Sequence, residues 1–169
     1  MRLASFETIA KALESADVRY LVAGGLAVNA HGILRFTKDI DLVVELIPDN
    51  IVRAFAALES LGYRPSVPIT AAQFSDKANR DGWVKEKGMQ VLQFWSDAHR
   101  DTPIDMFVRA LFSFDEEYGR ALVKPLHAAI PVRFVSLRTL IEMKQQAGRP
   151  QDLADIEQLR MRLDEDRDA

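Results

Sequence analysis

The sequence predicts an α+β (mixed α/β) fold in a single domain, with a small mixed sheet flanked by helices. Three observations carry this expectation. The chain has 169 residues, 48% of them apolar, which is enough for one ordinary core and too little to demand a second. Segments with apolar residues at helical spacing alternate with segments of strand period. No internal repeat or low-complexity linker divides the chain.

The elements follow in order. Phe6, Ile9, Ala10 and Leu13 predict a helix over about 6–15. Tyr20 to Ala23 reads as a short buried strand that ends at Gly24-Gly25, and a second short helix runs from Leu26 to about Gly32. Asp39 to Val44 forms the next strand, because aliphatic residues alternate with acids there. Pro48, Asp49 and Asn50 signal a helix start, Ile51, Phe55, Leu58 and Leu61 follow, and Gly62 closes the helix. The pattern from Arg64 to Asp81 is weak. Met89 to Trp95 and Pro103 to Val108 then read as strands joined by the polar turn Ser96 to Thr102, and Val132 to Val135 is one more. Ser136 caps a helix carrying Leu137, Leu140 and Ile141, which Gly148 ends. Pro150 opens a final helix with Leu153, Ile156, Leu159 and Leu163 inside. The expected domain spans 1–163, with a core over 18–135 and a helical part over 136–163. The charged stretch 164–169 is expected to fray into solvent as a flexible tail.

Composition removes several chemistries. With no cysteine, disulfides, thiolate zinc sites and cysteine nucleophiles are excluded together. His31, His99 and His127 have no metal-like spacing, so a metal here must be bound mostly by oxygen. Lys and Arg total 22 against 25 Asp and Glu, a net charge of −3, which argues against a broad electrostatic field for nucleic acid and leaves a local basic groove open. No stretch approaches the roughly 20 apolar residues of a membrane span. The first residues read as an amphipathic helix rather than a signal peptide, so the expectation is a cytoplasmic protein with no membrane partner.

The informative segment is YLVAGGLAVNAHGILRFTKDIDLVV, Tyr20 to Val44. Gly24 and Gly25 lack side chains, so the backbone can turn sharply and present free N–H groups where a phosphate binds well. On a strand, residues i and i+2 share a face, so Asp39 and Asp41 project together while Ile40 and Leu42 turn away. Two adjacent carboxylates repel unless a cation sits between them, and Mg²⁺ prefers a few carboxylates plus phosphates and water. Asp105 interrupts an otherwise apolar strand, where an ionised carboxylate needs a partner or an ion. It is the expected third ligand, and the base or orienter for an attacking hydroxyl.

Each signal has a bland reading. A glycine pair after a strand is usually a turn, and an Asp-x-Asp strand can be a polar sheet edge. Trp83, Phe94 and Trp95 suit a core better than a base-stacking site. The order and combination of the signals carry the claim.

Gly24-Gly25, then Arg35, Thr37, Asp39 and Asp41, then Ile104-Asp105, resemble the nucleotidyltransferase superfamily that shares the polymerase-β-like catalytic core. The stretch LIEMKQQAGRPQDLADIEQLR is similar to the tail of bacterial abortive-infection (AbiEii-type) and toxin-antitoxin nucleotidyltransferases. The two likenesses cover roughly 18–45 and 102–160. They imply a nucleotidyltransferase fold whose C-terminal helices complete the site, and an enzyme that uses Mg²⁺ or Mn²⁺ to move a nucleotide from an NTP, ATP included, to an acceptor hydroxyl. Asp39, Asp41 and Asp105 are the implied catalytic and metal-binding residues. Gly24, Gly25, Arg35, Thr37, Lys144, Arg149, Asp152 and Asp155 are the implied nucleotide-binding set. One departure stands out, since many members carry serine where this chain has Gly25. The acceptor is left open among RNA, protein and a small molecule such as an antibiotic, as is an antitoxin partner. A catalytically silent nucleotide-binding module is the alternative from another class.

Overall fold

The computed structural model describes residues 1–168, with the side chains of Ala128 and 166–168 left aside. Helix α1 (Leu3–Ser15) leads into β1 (Tyr20–Val22), α2 (Gly24–Ala30), β2 (Ile40–Val44) and α3 (Pro48–Ser60). A short β3 (Arg64–Pro65), α4 (Ala71–Ser75) and α5 (Lys77–Lys87) precede the hairpin strands β4 (Val91–Trp95) and β5 (Ile104–Phe107). Then come α6 (Phe114–Arg120), β6 (Leu122–Pro125), a single 3₁₀ turn at His127–Ala129, β7 (Pro131–Phe134), α7 (Leu137–Ala147) and α8 (Pro150–Asp168).

The strands form one mixed sheet in the order β3-β4-β5-β2-β1-β7-β6. Pairs β2/β5 and β1/β7 are parallel and the others antiparallel. The central strands β1, β2 and β5 are the most apolar: Leu21, Val22, Ile40, Leu42, Ile104 and Met106 are all fully buried. Helix α1 packs on α3, α3 on β2 and α4, α2 on β2 and α7, and α7 on α8. One continuous core results, from Phe6 to Leu159. This is the mixed α/β architecture the sequence predicts.

The elements absent from the expectation sit where apolar period fails for a physical reason. Helix α5 reaches the core through a buried Arg80, whose guanidinium donates to the Phe74 carbonyl and stands 5.8 Å from the Phe74 ring centroid. Helix α4 is opened by a capping box between Thr70 and Gln73. Strand β6 is an edge strand, mostly exposed, so its side chains show no alternation. Helix α6 is short and acidic, and it holds its place through the fully buried Glu117. That carboxylate accepts from the Ser136 amide at 2.5 Å and the Thr139 hydroxyl at 2.7 Å, fixing the start of α7. Bond donation from Thr139, Arg120 and Ser136 holds the Glu117 carboxyl below the usual range, against the opposing push of burial.

Three boundaries are corrected. Helix α2 begins at Gly24, two residues before the expected start, and β2 begins at Ile40, so Asp39 precedes the strand. Helix α8 continues to Asp168, so residues 164–168 extend a helix where fraying was expected. Its surface there carries an Arg162–Glu165 pair at 3.1 Å, and Ala169 lies outside the described residues. Among the described residues, no helix is long and apolar enough to cross a membrane.

The turn from β2 into α3 depends on one side chain. Asn50 is fully buried; its Oδ1 accepts from the Arg19 amide at 2.8 Å, and its Nδ2 donates to the carbonyls of Arg19 at 3.0 Å and Glu45 at 2.9 Å. Asn50→Ala removes three hydrogen bonds and strips the Arg19 amide and the Glu45 carbonyl of this partner, while the Arg19 carbonyl keeps the Glu45 amide, so it should cost about 3 kcal/mol in urea unfolding. A loss well under about 1 kcal/mol would show that water replaces the amide.

Candidate active site

The parallel ladder between β2 and β5 pairs Ile40 with Ile104, Asp41 with Asp105 and Leu42 with Met106. Side chains of paired residues share a face of the sheet, so the aliphatic partners enter the core and the two aspartates stand side by side opposite it. The next antiparallel pair sets Gln93 of β4 against Asp105. On the other flank the Ala23 amide donates to the Asp41 carbonyl at 2.9 Å, which brings the Gly24 turn beside the Asp41 side chain. The row across the sheet is therefore Gly24, Asp41, Asp105, Gln93.

Gly24 has a physical reason to be glycine. Its φ is +60°, and a β-carbon there would lie 1.8 Å from Asp41 Oδ2. Gly25 is crowded in a different way, since a β-carbon would meet Thr37 Cβ at 2.6 Å and its hydroxyl at 2.7 Å. Thr37 occupies the space a serine at 25 would need, which accounts for the departure from the family pattern. The Thr37 hydroxyl donates to Asp39, to the carbonyl at 3.2 Å or to Oδ1 at 3.3 Å. The loop that carries both is clamped by Asn29, which exchanges two hydrogen bonds with the Arg35 backbone at 2.6 and 2.9 Å. No side chain caps the start of α2.

A cleft of about 690 Å³ opens over this row. Asp39, Asp41 and Asp105 all line it, as do Gly24, Gly25, Arg35, Thr37, Lys144, Arg149 and Asp152. Asp155 does not; it is buried behind the wall. Lys144 lies on the buried side of α7, as its position in the helical stripe predicts. Its ammonium bonds two carboxylates, Asp155 at 2.6 Å and Asp152 at 3.2 Å. Arg35 pairs with Asp155 from the loop, and Arg149 Nε with Asp152 at 3.0 Å. The result is a chain of five alternating charges, Arg35, Asp155, Lys144, Asp152 and Arg149, that ties α7, α8 and the 33–39 loop together. Desolvation raises the Asp152 carboxyl, and the bonds and charges of Arg149 and Lys144 more than reverse it, so it stays below the usual range. Arg149 itself projects into solvent, its side chain 78% exposed.

The acids themselves are under strain. Asp41 keeps some surface toward the cleft while its carboxylate sits deep, and desolvation, then the charges of Asp39 and Asp105, raise it to about 7 against the opposing pull of Arg149 and Lys144. Asp105 is raised by burial and by Asp39, with a hydrogen bond from Gln93 at 3.1 Å and the charge of Arg149 working the other way. Gln93 is a neighbour that sequence reading passed over; only the strand register reveals it. Among the described residues, no three histidine, cysteine or acidic side chains stand close enough to hold an ion unaided. The donor set is nonetheless all oxygen and mutually repelling, which fits an ion shared with phosphates and water. Phe94 is fully buried, Trp95 is half exposed, and neither they nor Trp83 line the cleft.

A family model described as "Nucleotidyltransferase of unknown function (DUF6036)" matches residues 2–166. The chain belongs to that family. This nucleotidyltransferase shares its fold with ANT(2″)-Ia in complex with adenylyl-2″-tobramycin, at 18% identity and a TM-score of 0.60, over 95% of this chain and 88% of that one. It is also similar to the solution structure of the antibiotic-resistance factor ANT(2″)-Ia, at 20% identity and a TM-score of 0.57, covering 95% and 81%. A protein of Thermotoga maritima assigned as a nucleotidyltransferase aligns at 13% identity and a TM-score of 0.58, over 96% and 92%. These likenesses show the fold. No curated protein matches the chain by sequence. Family membership sets aside the silent binding module in favour of an enzyme.

The Asp41 carboxyl yields a stability prediction with a definite sign. Its folded value, about 7, lies above its ordinary 3.8, so its contribution is complete below pH 4 and is lost as the pH rises through 7. Without divalent ions, Asp41→Asn should therefore melt a few degrees above the wild type at pH 8, at roughly 2–4 °C per kcal/mol for a domain of this size. Equal melting temperatures at pH 8 would contradict the buried, repelled carboxylate.

Proposed function

We propose that this nucleotidyltransferase moves a nucleoside monophosphate from an NTP, ATP included, to an acceptor hydroxyl, with Mg²⁺ or Mn²⁺ held by Asp39, Asp41 and Asp105. The observation that carries the reading is the row of carboxylates beside Gly24 in one cleft, two of them on paired residues of parallel strands. When bound, the ion would offset phosphate charge and lower the barrier to in-line displacement. The residues supply the rest. Gly24 and Gly25 let phosphate oxygens approach the backbone, and Arg149, exposed in the cleft lining, offers a guanidinium for the departing pyrophosphate. Asp105, oriented by Gln93, faces the attacking hydroxyl and takes or steers its proton.

The ion-paired state of Lys144 changes its expected part. With two carboxylates on its ammonium it positions α7 and α8 and adds positive potential at Asp41, and direct phosphate contact falls to Arg149. Arg35 and Asp155 act in the same supporting way, while Thr37 orients Asp39. Residues 1–163 would then act as one domain, with the 136–163 helices forming one wall of the site.

A toxin role, with an antitoxin protein as partner and RNA or protein as acceptor in the cytoplasm, rests on the C-terminal resemblance alone. Growth arrest on expression, relieved by a neighbouring gene product, is the result it requires. Transfer to a small antibiotic is favoured by the fold of ANT(2″)-Ia, and is weighed below on the chemistry of the cleft.

Two variants test the reading in a pyrophosphate-release assay with NTP and Mg²⁺. Asp41→Asn should lower turnover about 100-fold or more with the fold intact by circular dichroism. Gly24→Ala should also lose NTP affinity by calorimetry, because the new methyl displaces the Asp41 carboxylate. Substantial turnover in Asp41→Asn would refute the assignment.

A further inference from the structure

The row across the sheet gives the site a direction. In-line transfer puts the attacking and leaving oxygens on opposite sides of the phosphorus. Gly24 stands at one end of the row and, on the proposed reading, marks the leaving side, so the acceptor enters over β5 and β4, beyond Asp105. The surface there is built from Val91 and Phe107, paired across the two strands, with Leu111 and Arg109 beside them in the cleft lining.

Beyond Asp105 the charged side chain on that side is basic. Every carboxylate lining the cleft is one of the three central aspartates or Asp152, which is bound to Lys144 and Arg149. With the three central aspartates on the metal ion of the proposed reaction, none is left to receive a cationic acceptor. Arg109 and, from the facing loop, Lys38 also line the cleft, both exposed and, among the described residues, without an ion-pair partner. A guanidinium left open beside an apolar floor is suited to a phosphate group held next to a sugar or base. An extended polyanion would need a longer basic stripe, and of the cations lining the cleft Arg35, Lys144 and Arg149 are already ion-paired, which leaves Arg109 and Lys38 alone.

Resting on the nucleotidyl-transfer reading, we infer that the acceptor is a small hydroxyl compound bearing a phosphate, of the nucleoside or sugar monophosphate kind, whose phosphate meets Arg109 while its hydroxyl meets Asp105. Polycationic aminoglycosides are rejected by the same unpaired charges, although the fold is shared with an enzyme seen with an adenylylated one.

The test is binding to the full chain saturated with a non-hydrolysable ATP analogue and Mg²⁺, with three probes: 5′-AMP, tobramycin and a single-stranded 12-nucleotide RNA. The wild type should bind 5′-AMP and not tobramycin, the RNA should bind no more than about threefold tighter than 5′-AMP, and Arg109→Glu should weaken 5′-AMP at least tenfold. A second variant, Arg109→Gln, should weaken it less than the charge reversal does. The inference is overturned if tobramycin binds, if 5′-AMP does not, if Arg109→Glu weakens 5′-AMP less than tenfold, or if the RNA binds more than threefold tighter. Failure of the ATP analogue itself to bind the wild type overturns the nucleotidyl-transfer reading along with it.

Discussion

The site depends on one electrostatic constraint: two aspartates locked side by side by a parallel strand pairing, with a third acid on the loop just before. The ladder that buries Ile40, Leu42, Ile104 and Met106 on one face forces Asp41 and Asp105 together on the other. Hydrophobic burial thus holds in place a charge arrangement that repels itself. Desolvation and like charge keep Asp41 at about 7, far from where an isolated aspartate titrates, and a cation with phosphates is the natural relief.

Much of the surrounding structure serves that arrangement. Gly24 gives up its side chain so that the Asp41 carboxylate can occupy the turn, and Gly25 does so for Thr37, which in turn bonds Asp39. The ion chain from Arg35 to Arg149 draws two helices and a loop around the acids. A buried lysine with two aspartates would be a poor way to gain stability. Its value here is placement, since it sets positive potential near Asp41 without competing for the cleft.

The central part of this design is legible in the sequence because it obeys strict rules. Strand alternation turns Asp41 away from the buried Ile40 and Leu42, with Asp39 on the loop just before, an isolated acid among Ile104, Met106 and Phe107 marks Asp105, and Ser136, Gly148 and Pro150 bracket the last two helices. The remainder is hidden for physical reasons. Gln93 matters only through its register opposite Asp105, and the long connection between β4 and β5 leaves that register unspecified in the sequence. Lys144 falls on the apolar stripe of its helix, whereas Asp152 and Asp155 come from the C-terminal resemblance alone, and the mutual pairing of the three needs the α7–α8 geometry. Helices α4, α5 and α6 reach the core through Phe74, Arg80 and Glu117, two of them charged, so apolar periodicity could not disclose them.

The most direct test of the carboxylate row is a crystal soaked with Mn²⁺ and a non-hydrolysable NTP, with the metal located by its anomalous scattering. The expected result is Mn²⁺ between the carboxylates of Asp39 and Asp41, the α-phosphate on it, and Asp105 turned toward the same phosphorus. Metal and nucleotide bound away from these acids, or Asp105 turned out of the cleft, would contradict the account and leave only the shared fold.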